Sequence, residues 1–121
     1  MEGKAFRKQT ACCVTGIPRI RRNAVALPDE FRVKAITMLA KALNDPIRVQ
    51  IVYLLSKYRD LCTCEFEEIL DLPQSKVSYH LKQLLDAELI KRDIHGPWSH
   101  YSLVRMDILE QLEHLIPVSA Q

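Results

Sequence analysis

The chain has 121 residues, 48% of them hydrophobic and 26% charged, with 17 Lys+Arg against 15 Asp+Glu and a net charge of +2. That length fits one domain, and the composition is that of an ordinary folded protein rather than a disordered one. No run approaches the 18 apolar residues of a membrane span, and no apolar stretch of signal-peptide type follows the N-terminal charges, so a cytoplasmic protein is expected. A chain this small gains core by pairing with a second copy.

Charge is unevenly distributed. Residues 1–24 hold Lys4, Arg7, Lys8, Arg19, Arg21 and Arg22 against Glu2, a net of +5, whereas the remaining 97 residues sum to −3. Residues 1–27 show no hydrophobic period and are interrupted by Gly16 and Pro18, so they read as a basic arm, extended or partly ordered. The vicinal pair Cys12-Cys13 lies in this arm.

A helix is expected to start at Pro28-Asp29-Glu30. Phe31, Ala35, Ile36, Leu39, Ala40 and Leu43 recur at steps of three and four, and Asn44-Asp45-Pro46 ends the run. Asp45 suits an N-cap and Pro46 a first helical position, so a second helix follows to about Lys57-Tyr58, burying Ile47, Ile51, Leu54 and Leu55. A short helix from Thr63 to Leu70 follows, with Thr63 as its cap and Phe66, Ile69 and Leu70 apolar. Asp71-Leu72-Pro73 makes a tight turn, and another helix runs from Gln74 to Ala87 with Val77, Leu81, Leu84 and Leu85 inward. Two helices across so short a turn form a helix-turn-helix. The outward face of the second carries Gln74, Ser75, Lys76, Ser78, Tyr79 and Lys82, hydrogen-bonding and cationic groups suited to base edges and phosphates.

Residues 89–94 and 100–104 read as strands around His95-Gly96-Pro97-Trp98-Ser99, a β-hairpin placed where the wing of a winged helix belongs. A last amphipathic helix covers 107–116, with Ile108, Leu109, Leu112, Leu115 and Ile116 apolar. The fold class is therefore all-α with a small β-hairpin (α+β): an arm at 1–27, a winged helix-turn-helix domain at 28–116 and a tail at 117–121. The apolar stripes at 31–43 and 108–116 suit a dimer interface. No nucleophile–base pair and no phosphate-cradling glycine loop is present, so no enzyme is expected.

Four cysteines fall in two pairs, Cys12-Cys13 and Cys62-Thr63-Cys64. In a cytosolic chain such clustering points to metal or redox chemistry rather than structural disulfides. Thiolates select soft metals and metalloids over hard cations.

Leu61-Cys62-Thr63-Cys64-Glu65-Phe66, Gln74-Ser75-Lys76-Val77-Ser78-Tyr79-His80-Leu81 and Trp98-Ser99-His100-Tyr101-Ser102-Leu103 together resemble the ArsR/SmtB family of bacterial metal-sensing repressors, over roughly residues 30–116. The resemblance implies a homodimer that binds operator DNA when metal-free and releases it on binding its inducer. Arsenical repressors often carry Cys-x-Cys-x-x-Cys at the start of the first helix of the motif. Here Cys62 and Cys64 match, and Glu67 stands where the third thiol falls. Other members recruit thiols from the opposite subunit's arm, which assigns Cys12 and Cys13 to the inducer together with Cys62 and Cys64. The family's zinc site in the last helix is expected to be absent: Asp107 and His114 are there, but Leu109 and Gln111 offer no matching histidine.

The expected inducer is arsenite or antimonite, with cadmium, lead or zinc as the alternative. The DNA-contacting set is Gln74, Ser75, Lys76, Ser78, Tyr79, His80, Lys82, Arg92 and His95. For His80 a structural role and a backbone contact are both open; His95 lies at the wing tip, His100 in the hairpin and His114 on a solvated face. Two rivals remain: a thiol-redox repressor joining Cys12 or Cys13 to Cys62 or Cys64, and a partner-binding winged helix with incidental cysteines.

Overall fold

A computed structural model describes residues 20–117. Most of the basic arm, with Cys12 and Cys13, and residues 118–121 of the tail lie outside the described residues. The chain divides into two units after Val33. In the first, a 3-10 turn spans Arg22–Ala24. Asp29 then starts helix α1 (Glu30–Ala42): its carboxylate accepts the Arg32 N–H at 2.8 Å and its carbonyl the Val33 N–H at 3.1 Å. A short carboxylate accepting orphan N–H groups is what an N-cap requires.

The second unit begins inside α1. Helix α2 (Pro46–Tyr58) is capped by Asp45, whose side chain accepts from the Ile47 N–H at 2.8 Å, with Pro46 in the first turn as expected. Burial pushes the Asp45 carboxyl up, but the bonds from the Ile47 and Arg48 backbones and the charges of His80 and Arg48 outweigh it and hold it below its ordinary value. Strand β1 (Asp60–Cys62) leads into α3 (Thr63–Leu70), and after the turn comes α4 (Gln74–Asp86). Asp71 closes α3 at φ 56°, a left-handed conformation that Asp tolerates through its short polar side chain. Strands β2 (Ile90–His95) and β3 (Trp98–Leu103) form the wing, and α5 (Ile108–Glu113) ends the fold.

The wing turn is Gly96-Pro97, closed by the pair His95–Trp98. Gly96 sits at φ +63°, and Pro97 fixes the next φ negative, so the turn is of the type II′ class that matches strand twist.

The wing is part of a three-stranded antiparallel sheet ordered β1-β3-β2, not a free hairpin. The three residues of β1 were too short to show a period. Their register sets Leu61 against Tyr101 and Cys62 against His100. One sheet face, with Leu61, Tyr101, Leu103 and Ile90, joins a core built on Ile51, Val52, Leu55, Phe66, Val77, Leu81 and Leu84. The Phe66 ring meets Tyr101 edge-on, centroids 6.4 Å apart. Alternation turns Asp60, Cys62, His100 and Ser102 to the opposite face.

Two expectations are corrected. The cap of α3 is Cys62, not Thr63, and the Glu65 carboxylate reaches back to accept the Cys62 N–H at 2.8 Å. The last helix covers 108–113 rather than 107–116, because its polar and apolar residues find too little core to extend over: none of its side chains is fully buried. Along α1 only Ala42 is buried, with Leu39 and Leu43 partly so, and Ile36 is 61% exposed. Among the described residues no helix is long and apolar enough to cross a membrane.

Candidate nucleic-acid interface and thiol pocket

Helix α4 buries Val77, Leu81 and Leu84 and exposes Gln74, Ser75, Lys76, Ser78, Tyr79 and Lys82, so six of the expected contact residues lie on the solvent-facing side of one helix. Val77 at 0% exposure anchors that orientation, since rotating the helix would bring it into water. Lys82 is bridged to Asp86 at 3.2 Å, one turn on, and both are well exposed. Arg92 and His95 are exposed on β2. Lys82 and Arg92 face one cleft of about 610 Å³ between α4 and the wing, also lined by Ser78 and Tyr101. The cleft thus brings cations from the helix and the wing together.

His80 does not belong to this face. It is only 6% exposed, and Arg48 Nη1 lies 3.1 Å from its Nδ1. A guanidinium only donates, so Nδ1 accepts and the ring proton is assigned to Nε2. Arg48 Nε also donates to the Ala42 carbonyl at 2.6 Å, so one guanidinium ties the end of α1 to α4. Burial, with the charges of Arg48 and Lys76, lowers the His80 pKa against the opposing pull of Asp45. A polar residue between exposed Tyr79 and buried Leu81 gave no sign that its partner would be an arginine 32 positions away.

The second feature is a thiol pair. The Cys62 and Cys64 sulfurs are 2.8 Å apart at the start of α3. Cys62 is half-buried and Cys64 exposed. Burial, the Cys64 thiol and the Glu65 carboxylate push the Cys62 thiol above its ordinary pKa. The pair opens into a pocket of about 310 Å³ lined further by Thr63, Glu67, Gln74, Pro97, Trp98 and Ser99. Gln74 begins α4 and Trp98 begins β3, so the pocket joins the thiols to the helix and to the wing. Sequence reasoning found the thiols but not this junction, because nothing in local spacing shows that the wing turn folds back on α3.

The fit to a soft ion is partial within the described residues. Two sulfurs converge, but no group of three or more His, Cys, Asp or Glu side chains able to hold a metal forms among the described residues. On the sheet's outer face His95 and His100 stack edge-to-face at 5.0 Å. His100 Nδ1 is buried without a hydrogen-bond partner, 3.7 Å from Asp60 Oδ1.

Residues 45–92, from the cap of α2 to Arg92, match the model of the arsR family of bacterial regulatory proteins. Over 90 residues, 73% of the chain, the sequence is 33% identical to the arsenical resistance operon repressor of Staphylococcus xylosus and covers 86% of that protein. The chain belongs to the ArsR family. It is 49% identical to the arsenical resistance operon repressor of Bacillus subtilis over 63 residues, 52% of this chain, and the match spans 60% of the length of that repressor. It is 34% identical to a CadC homolog of Staphylococcus aureus, a cadmium resistance transcriptional regulatory protein, over 56% of each chain. Among solved structures, the transcriptional repressor PagR of Bacillus anthracis superposes with a TM-score of 0.63 at 28% identity, over 73% of this chain and all of that one. The winged helix-turn-helix of this ArsR-family chain is thus the fold of DNA-binding transcription regulators.

Proposed function

We propose that this ArsR-family chain is a cytoplasmic, homodimeric repressor that binds operator DNA without inducer and releases it on binding arsenite or antimonite through cysteine thiolates. Gln74, Ser75, Lys76, Ser78 and Tyr79 would read the major groove, while Lys82, Arg92 and His95 meet phosphates. Their shared exposure on α4 and β2 supports this division, and the burial of His80 removes it from the set.

The observation that carries the reading is the composition of the thiol pocket. An ion held by the Cys62 and Cys64 sulfurs would stand among Gln74, which belongs to the proposed DNA-reading set, and Pro97 and Trp98 of the wing. A ligand shifts an equilibrium only through contacts that differ between the two states, and an ion in this pocket would touch both the helix and the wing. Two thiolates leave a trivalent arsenic or antimony centre one short, and Cys12 and Cys13 of the arm are the remaining thiols of the chain. The alternative inducers, cadmium, lead or zinc, draw support from the similarity to the cadmium regulator and from the same four sulfurs.

Titrating a labelled operator complex with arsenite, antimonite, cadmium, lead and zinc in turn tests the reading. Release at the lowest concentrations by the two metalloids is expected. Release by cadmium or lead alone would transfer the role to the alternative ions, and release by none would refute the inducer function.

A further inference from the structure

The same two thiols are arranged for a chemistry besides ion binding. Their sulfurs already lie 2.8 Å apart, separated in sequence only by Thr63. Cys64 is exposed to a solvent-borne oxidant, and Cys62 is half-buried. Neither side chain belongs to the hydrophobic core. We propose that peroxide converts this pair into a Cys62–Cys64 disulfide within one subunit, and that the oxidised repressor stays on its operator but no longer responds to inducer. The proposal rests on the inducer role argued above and concerns how that same site is regulated.

The chemistry balances in two steps. The Cys64 thiol attacks one peroxide oxygen: an S–O bond forms, the O–O bond breaks, and water leaves, giving a sulfenic acid. The Cys62 sulfur then attacks the Cys64 sulfur: the S–S bond forms, the S–O bond breaks, and the hydroxyl departs with the Cys62 proton as a second water. Two thiols are oxidised and one peroxide is reduced. Proximity favours closure within the pair over reaction with any more distant thiol.

Operator binding should survive, because the new bond demands little backbone movement where the sulfurs already touch. The Cys62 N–H keeps its bond to Glu65, and Cys62 keeps its pairing with His100. No exposed residue of α4 takes part in either. Induction should fail because metal and metalloid binding needs thiolates, and the disulfide has consumed both. The outcome differs from that of a redox-sensing repressor, in which oxidation itself releases DNA.

Peptide mass and operator binding on the full chain together test this. Trypsin cuts after Arg59 and Lys76, so Cys62 and Cys64 fall in one peptide, Asp60–Lys76. After hydrogen peroxide this peptide should be lighter by two hydrogens and refuse alkylation, and dithiothreitol should reverse both. The oxidised chain should bind operator with the affinity of the reduced chain, and arsenite should release only the reduced one. Peroxide-induced release of DNA, arsenite release of the oxidised chain, or a disulfide joining this peptide to one holding Cys12 and Cys13 would each overturn the proposal. Arsenite failing to release even the reduced chain would defeat the inducer reading and the silencing with it, while the peptide mass alone would still decide whether the disulfide forms.

Discussion

At the scale of single residues, the arginine–histidine contact shows how a polar group on the second helix of the helix-turn-helix can serve the fold. His80 is accepted into the interior because Arg48 supplies a donor to Nδ1, and burial, with the charge of Arg48, disfavours protonation of the ring. Its folded pKa lies below the ordinary 6.5, so on acidification the unfolded chain takes up the proton first. Stability from this group is therefore complete above about pH 6.5 and is lost as pH falls from there toward the folded value. His80→Gln, which keeps an acceptor for Arg48, should cost roughly 1 kcal/mol at pH 7.5. It should also flatten the fall in Tm between neutral and mildly acidic pH, as read by calorimetry. An equally steep acid dependence in the variant would place the titrating group elsewhere. The sequence showed this histidine on the helix, but its side depended on a partner from α2 that only tertiary packing supplies.

At the scale of elements, caps and periods carried most of the reading. Asp45-Pro46 marked the start of α2, and the spacing of Val77, Leu81 and Leu84 set the face of α4, because both signals are local. Strand β1 escaped notice, since its three residues become a strand only by pairing with β3. The thiol pocket escaped for the same reason: it exists where α3, α4 and the wing meet. Within α4, substituting Lys82 tests the proposed phosphate contact apart from stability. Its pair with Asp86 is an exposed i,i+4 contact, worth only a few tenths of a kcal/mol. Lys82→Ala should thus leave Tm almost unchanged. It should weaken binding to all DNA sequences alike and lower the salt slope of operator affinity by about one unit. An unchanged slope would remove Lys82 from the phosphate contacts.

At the scale of the whole molecule, the described chain leaves apolar surface uncovered. Phe31 is 81% exposed, and Ile36, Met38, Leu115 and Ile116 are also open to solvent. Large exposed apolar side chains mark association surfaces, and a twofold dimer would provide the two reading heads that a palindromic operator requires. Sedimentation should show a dimer at micromolar concentration. Ile36→Glu should shift it toward monomer while preserving helical circular dichroism, because that side chain is 61% exposed in the single chain. A wild-type monomer at that concentration would contradict the assembly.

In the proposed mechanism the Cys62–Cys64 pocket is what links inducer to operator. The most direct test is the fluorescence anisotropy of a labelled operator, titrated with arsenite in the presence of the wild-type chain and of Cys62→Ser. Both proteins should bind the operator equally before arsenite is added, since Cys62 lies outside the exposed face of α4. Arsenite should then lower the wild-type anisotropy to that of free DNA and leave the Cys62→Ser complex intact. Release of the variant at the wild-type arsenite concentration would show that arsenite acts without the Cys62 thiolate.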